Sequence, residues 1–122
     1  MKKVVVGGQI DKKEIAEAIE TLSNGELEVE IKSDLDAAMA VKAGTYDYYI
    51  GACNTGGGGA LAMAIAMLGP TKTSTVSMPG SIKDEAFIHE EFAKGKIAFG
   101  FTAQHRDQVL PILVKEILNK EK

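Results

Sequence analysis

The chain alternates five times between a short run of β-branched or aromatic residues and a longer segment with helical patterning. The strand candidates are residues 3–6, 27–31, 46–50, 73–78 and 96–101. The helix candidates that follow them are residues 11–24, 33–43, 60–68, 81–95 and 108–119. A helical crossover is the normal connection between parallel strands. The alternation therefore predicts an α/β fold with three layers, a doubly wound and mainly parallel five-stranded sheet of Rossmann-like or flavodoxin-like type.

Polar residues mark where the predicted helices begin. Asp11 is the expected N-cap of the first helix, and either Ser33 or Asp34 caps the second. Asp107 is the expected N-cap of the last helix. Pro111 then falls at the fourth helical residue, whose N–H has no intrahelical acceptor in any case.

Length and composition place the chain among ordinary globular proteins. Its 122 residues, 45% hydrophobic and 25% charged, predict a single domain over residues 1–122. The net charge of -3 provides no positive field for nucleic acid. The longest apolar run, residues 60–69, is shorter than the roughly 20 residues that cross a bilayer, so no membrane insertion is expected. With one cysteine, no internal disulfide is possible, and a cytoplasmic location is expected.

One loop after the third strand has the composition of an anion-binding site. Its sequence is Cys53-Asn54-Thr55-Gly56-Gly57-Gly58-Gly59. Glycines present backbone N–H groups without a Cβ, and the helix that they open adds roughly half a positive charge at its N-terminus. Ligands of doubly wound sheets bind at this edge, outside the carboxyl ends of the strands. The loop predicts binding of a small anionic metabolite, such as a sugar phosphate or a carboxylate.

Three side chains of the loop can take part in chemistry. A thiolate at Cys53 is favoured beside so many N–H groups, which makes it a candidate nucleophile or acid/base. The Thr55 hydroxyl and the Asn54 amide can donate hydrogen bonds to the same anion. The structural alternative is that the glycines allow close packing and that Cys53 is a small core residue.

The loop after the fifth strand holds the other polar cluster, Thr102, Gln104, His105 and Arg106. Arg106 can bind a phosphate or carboxylate bidentately, and His105 can transfer a proton near neutral pH. The alternative is that Thr102 caps the turn while His105 and Arg106 face solvent. One cysteine and two distant histidines have no metal-ligand spacing, so neither a metal nor a cofactor is expected.

The third helix candidate, residues 60–68, is apolar on every face. Such a helix must be covered all round, either by the rest of the fold or by another subunit. A second copy of the chain, in a homo-oligomer, is therefore a candidate partner.

Most of the chain resembles the YhfU-like family, small bacterial proteins of uncharacterised activity. The residues that carry this resemblance are Asp36-Ala37-Ala38-Met39-x-Val41-Lys42-x-Gly44, Asp47-Tyr48-Tyr49-Ile50-Gly51-Ala52-Cys53 and Thr55-Gly56. Members of that family tend to be encoded beside a transporter and metabolic enzymes, which indicates a metabolic role.

A local pattern is similar to the core of ribose-5-phosphate isomerase B: Gly44-x-x-Asp47-Tyr48-x-Ile50-x-x-Cys53-x-Thr55-Gly56-x-Gly58-x-Ala60. This resemblance implies that Cys53 is a base and that Thr55 and the glycine N–H groups stabilise an enediolate. The Ser-Asp-His of that family's first strand corresponds to Gly7-Gly8-Gln9 here, and its histidine after strand four to the Ser77–Gly80 region. From this resemblance we retain only the predicted anion hole, formed by Thr55 and the glycine N–H groups.

Three hypotheses follow from the sequence. The first is a binding module or accessory subunit for a small anionic metabolite. The second is a sugar-phosphate isomerase-like enzyme that uses Cys53, and the third is a structural oligomer subunit.

Overall fold

The fold is seen in a computed structural model that describes residues 2–53 and 57–120. Its strands are β1 (Lys2–Gly8), β2 (Leu27–Ile31), β3 (Tyr48–Cys53), β4 (Thr73–Thr75), β5 (Ser77–Met78), β6 (Ser81–Ile82) and β7 (Ala98–Thr102). Its α-helices are α1 (Lys12–Ser23), α2 (Asp34–Lys42), α3 (Gly57–Leu68), α4 (Glu85–Ala93) and α5 (Arg106–Lys120). Short 3₁₀ turns, Pro70–Lys72 and Ala103–His105, precede β4 and α5.

Five strands form one sheet in the order β2-β1-β3-β7-β4, with every neighbouring pair parallel. Helices α1, α4 and α5 pack on one face, and α2 and α3 pack on the other. The predicted three-layer, doubly wound α/β fold is confirmed. No helix among the described residues is long and apolar enough to cross a membrane.

The sheet is buried on both faces, which explains why its strands are continuous apolar runs. Val4 and Val6 belong to the core under α1, α4 and α5, while Val5 between them faces α2 and α3. In the larger core, Phe92 of α4 stacks on Phe99 of β7 with ring centroids 4.4 Å apart.

Helix α3 is covered on one side only by the residues that the structure describes. Leu61 and Ala64 are buried, whereas Ile65 is 39% exposed and Ala62 and Ala66 are also exposed. The neighbouring α2 exposes a further apolar side chain, Met39. The expectation that the rest of the fold covers this helix on all sides is therefore wrong for the described residues. Its burial against another subunit stays a prediction.

The predicted ends of the third and fourth strands were each wrong by three residues. The third strand begins at Tyr48 and continues through Gly51 to Cys53, and the Gly8 backbone and the Tyr49 hydroxyl lie beside Gly51. The fourth ends at Thr75 instead of residue 78. Beyond it, Ser77–Met78 pairs antiparallel with Ser81–Ile82 in a hairpin. Pro79-Gly80 form its turn, and the positive φ of Gly80 (77°) suits that position.

Helices α3 and α4 begin at Gly57 and Glu85 instead of residues 60 and 81, and two further helices differ from the prediction in their cap or their start. Asp11 occupies the N-cap position of α1, but it has φ 57° and its side chain caps no N–H. Helix α5 begins at Arg106, so Asp107 lies in its first turn and Pro111 is the sixth helical residue. The 3₁₀ turn Ala103–His105 continues directly into α5, so this helix begins two residues earlier than predicted. The missing Pro111 N–H leaves a carbonyl of the exposed first turn to solvent.

A buried polar pair joins β4 to α4. Ser74 Oγ donates a hydrogen bond of 2.7 Å to Glu91 Oε1, and Lys94 Nζ lies 3.4 Å from Glu91 Oε2. Burial raises the pKa of Glu91, but the Ser74 hydrogen bond and the Lys94 ammonium outweigh it and hold that pKa below its usual range. Glu91 therefore contributes stability above its unfolded pKa, and the contribution is lost as pH falls through the folded pKa.

We expect Ser74→Ala to lower the free energy of unfolding by about 1–3 kcal/mol at neutral pH, because a buried carboxylate loses a donor. The deficit should shrink as the pH falls below the unfolded pKa of about 4.3 and through the lower folded pKa, because the carboxyl group then becomes protonated in both states. Urea unfolding at pH 7 and pH 3.5 measures both values. Ser81→Ala, at an exposed position of β6, is the control and should change the free energy by less than about 0.5 kcal/mol. A Ser74→Ala deficit that is equal at both pH values would contradict this account.

Candidate functional site at the carboxyl edge of the sheet

The carboxyl ends of β1, β3 and β7 lie side by side at one edge of the sheet. The chain leaves β1 and β7 towards α1 and α5 on one face, but it leaves β3 towards α3 on the other. A crevice between connections that diverge in this way is the usual ligand position in doubly wound sheets. The predicted glycine-rich loop therefore follows the central strand of this edge.

The described residues include part of that loop. Gly57, Gly58 and Gly59 form the first turn of α3. Asn54, Thr55 and Gly56, also predicted to bind the anion, lie outside the described residues. The first four N–H groups of a helix have no intrahelical acceptor, and the helix dipole adds positive potential there. The start of α3 thus has the backbone features that the sequence indicated.

Cys53 and Thr102 are register partners at the last positions of β3 and β7. Alternation along the two strands places both on the face that packs against α2 and α3, because Tyr49 and Ala98 belong to that core. Both are buried, with Cys53 1% and Thr102 0% exposed. The structure thus brings two predicted site residues together on the face where α3 begins. An acid/base role for Cys53 stays a prediction.

The Thr102 side chain is unusual in its hydrogen bonding. Among residues 2–53 and 57–120, its buried Oγ1 has no hydrogen-bond partner. Its backbone N–H donates instead to Ser77 Oγ, at 2.9 Å. Leaving a buried hydroxyl without a partner costs about 1–3 kcal/mol. The predicted role of Thr102 as a turn cap is wrong, because its side chain caps nothing.

A second polar group lies at the same edge, at the start of α2. Ser33 caps this helix by accepting a hydrogen bond from Asp36 N–H at 3.1 Å. Asp34 is therefore not the cap. Its Oδ1 accepts hydrogen bonds from Gly8 N–H, at 3.2 Å, and from the Tyr49 hydroxyl. Burial and the bond to Asp34 raise the pKa of Tyr49 far above its ordinary value, so the phenol stays protonated and donates.

Glycines in β1 and β3 leave the space in which the Tyr49 ring lies against the sheet. A Cβ at Gly7 would lie 2.5 Å from Cε2 of the Tyr49 ring, and a Cβ at Gly51 would lie 3.0 Å from the Tyr49 hydroxyl oxygen. The ring therefore rests on the sheet and carries its hydroxyl to Asp34. Gly8 has φ 78°, and a Cβ there would lie 2.6 Å from the backbone N of Ala52. The Ser and Asp side chains of the isomerase family's first strand have no room at Gly7 and Gly8.

Of the remaining predicted residues after β7, His105 is linked to the Thr102 backbone through the Ser77 hydroxyl, whereas Gln104 and Arg106 lie towards the segment that leads into α1. His105 Nδ1 lies 3.0 Å from Ser77 Oγ. Arg106 Nη1 donates to Asp11 Oδ2 at 3.1 Å. Gln104, Arg106 and Asp11 line a shallow cavity of about 340 Å³ between the segments that lead into α1 and α5. Arg106 thus has a carboxylate partner within the chain and is not simply solvated.

Sequence reasoning missed the polar group formed by Asp34, Tyr49 and the Gly8 N–H. Asp34 was interpreted as a possible cap and Tyr49 as an ordinary strand residue. The one available signal was position, since the segment that includes Asp34 follows the carboxyl end of β2. No group of three His, Cys, Asp or Glu side chains in the described parts of the chain is arranged to hold a metal ion.

The fold and its edge define a small doubly wound α/β protein. The chain belongs to the family described as protein of unknown function DUF2620, whose model matches residues 2–117. It is 43% identical over 117 residues to the uncharacterized protein YhfU of Escherichia coli strain K12, covering 96% of this chain and 99% of that protein. The YhfU proteins of Escherichia coli O6:H1 and Shigella flexneri match equally. The YhfU-like resemblance is confirmed. No solved structure matches the chain significantly.

Proposed function

We propose that this protein binds a small anionic metabolite, a sugar phosphate or a carboxylate, at the N-terminus of α3. The observation that carries the proposal is the buried hydroxyl of Thr102, which lacks a hydrogen-bond partner among the described residues. A hydroxyl at the end of a central strand, on the face where a helix begins, can donate to an anion held by that helix. Binding would then recover the hydrogen bond that the folded chain leaves unmade.

Two further features support an anion at this place. The helix starts with glycines, so no Cβ of its first three residues obstructs approach to the backbone N–H groups. No aspartate or glutamate lies in the first turn of α3, where it would compete for the same N–H groups. Among the described residues, no acidic side chain of this turn compensates the helix dipole, which favours an anionic ligand there.

Replacement of Thr102 by Val tests the proposal, because the two effects that we expect have opposite signs. Without ligand, Thr102→Val should be as stable as the wild type or more stable, since the variant buries no unsatisfied hydroxyl. Its affinity for inorganic phosphate or a sugar phosphate should fall about 10- to 100-fold, the value of one hydrogen bond to a charged group. Thermal unfolding with increasing ligand measures both, because ligand that binds the folded state raises the melting temperature.

Thr73→Val is the matched control. Thr73 is also a buried strand threonine, but its Oγ1 donates to the Pro70 carbonyl at 3.3 Å. This variant should lose stability and keep the full ligand response. The proposal is wrong if no phosphate, sugar phosphate or small carboxylate shifts the wild type, or if Thr102→Val responds as strongly as the wild type.

A further inference from the structure

We propose that Asp34 selects, among small anions, those that also carry hydroxyl groups. This inference rests on the proposed function, because it concerns the part of the same ligand that extends away from α3. It assigns the protein a polyhydroxylated anion, such as a sugar phosphate or a sugar acid, over a simple phosphate or carboxylate.

The first step is the position of Asp34. Helices α2 and α3 pack together on one face of the sheet, and each begins at the carboxyl edge. Asp34 is the first residue of α2, so its carboxylate lies at the same edge as the N-terminus of α3. Its hydrogen bond to Gly8 N–H places it over β1, while Thr102 lies at the end of β7. With β3 between them, the two groups are separated by two strand spacings, roughly 10 Å.

The second step is the state of the carboxylate. Both hydrogen bonds that fix it, from Gly8 N–H and from Tyr49, go to Oδ1. Oδ2 makes no hydrogen bond to any residue that the structure describes, and Asp34 is only half-buried. The chain therefore holds the group rigidly by one oxygen and leaves the other as an acceptor. Because an ionised carboxylate can only accept hydrogen bonds, its partner must be a donor.

The surroundings of Asp34 favour a hydroxyl over an ammonium group as the donor to Oδ2. Positive potential already surrounds Asp34, because it lies at the N-terminus of α2. Lys12 Nζ donates to the carbonyl of Lys32, two residues before Asp34, at 3.0 Å, so a positive charge also lies beside the segment that leads into α2. This positive potential opposes a further cation. A neutral hydroxyl gains a charge-assisted hydrogen bond without that repulsion.

A pair of ligands of equal length tests the inference. Glycerol phosphate and n-propyl phosphate share an anionic group and a three-carbon chain, but only the first carries hydroxyl groups. We expect calorimetric titration of the wild type to show about tenfold tighter binding of glycerol phosphate, the value of one charge-assisted hydrogen bond. Glycerate and propanoate form the corresponding carboxylate pair, and they show which anionic group the α3 end prefers.

Asp34→Asn should reduce the preference to about twofold or less, because the affinity for glycerol phosphate then falls towards that for n-propyl phosphate. Asp36→Asn is the matched control, because Asp36 is an exposed acid in the same first turn of α2. It should keep the tenfold preference. Tyr49→Phe provides a second test that retains the carboxylate and removes one of its supports. It should lower the preference partly, even if Asp34→Asn does not fold.

The possible results distinguish failure of the proposed function from failure of selection by Asp34. If the wild type binds none of these ligands, the proposed function is wrong and the inference falls with it. If it binds both members of each pair equally, anion binding stands and selection by Asp34 is wrong. Tighter binding of 2-aminoethyl phosphate than of glycerol phosphate would also overturn the inference, in favour of an ammonium ligand. The same would follow if Asp36→Asn and Asp34→Asn lost the preference to the same extent.

Discussion

Replacing Gly8 by Ala is expected to lower the free energy of unfolding by about 2–5 kcal/mol. Two costs add at this position. Gly8 has φ 78°, which costs an L-residue about 1–2 kcal/mol, and the new Cβ would lie 2.6 Å from the backbone N of Ala52 in the adjacent strand. Backbone cannot move aside as the end of a flexible side chain can. Urea unfolding of the variant and the wild type measures the loss.

Gly25→Ala separates these two costs. Gly25 has the same φ of 78°, but no atom lies within 4 Å of the position that its Cβ would take. This variant should therefore show the conformational cost alone, about 1–2 kcal/mol. The difference between the variants measures the collision with β3. Equal losses would mean that β1 and β3 can separate without cost, and the close approach of these strands would then not hold the Gly8 N–H against Asp34.

Phe99→Ala is expected to cost about 3–5 kcal/mol. Phe99 is fully buried in β7 and stacks on Phe92 of α4, with ring planes 14° apart. Removing it leaves a cavity that neighbouring strands, fixed by their hydrogen bonds, can fill only in part. Because β7 also positions Thr102, a looser core beneath it should weaken phosphate binding in the same variant. Urea unfolding and phosphate titration together test this prediction.

Phe87→Ala is the control for Phe99→Ala. Phe87 lies on α4 but is only half-buried, and Lys83 Nζ is 5.1 Å from the centre of its ring. Its loss should cost about 1 kcal/mol, in proportion to the smaller apolar area that it buries. A Phe99→Ala cost no larger than this would mean that the stack contributes nothing beyond surface burial.

The order and type of the main elements could be predicted from the sequence, because each depends on neighbouring residues. Buried parallel strands are apolar on both faces, so the Val4–Val6 run is recognisable without its partners. The third strand, by contrast, was predicted to end at Ile50, yet β3 runs on through Gly51 to Cys53. The reason is tertiary: the Tyr49 hydroxyl occupies the space beside Gly51. The β5–β6 hairpin was likewise missed, since its two-residue strands are too short to show a period.

The candidate site was predictable only in part, for a similar reason. The glycines at the start of α3 can be recognised from local composition alone. The group of Asp34, Tyr49 and Gly8 N–H joins three segments that only the fold brings together, so neither periodicity nor spacing indicates it. The missing partner of Thr102 Oγ1 is likewise a property of the folded core. Arg106 was predicted as an anion ligand, but its distant partner Asp11, 95 residues earlier, was not foreseen.

The strand order β2-β1-β3-β7-β4 also constrains the time at which this protein can become native during its synthesis. The last strand to leave the ribosome, β7, inserts between β3 and β4, which do not touch each other in the sheet. A nascent chain that ends before Ala98 therefore exposes two open strand edges, which are prone to pairing with other chains. These edges stay unpaired until β7 is synthesised, and the residue that completes the candidate site, Thr102, arrives only at the end of this interval.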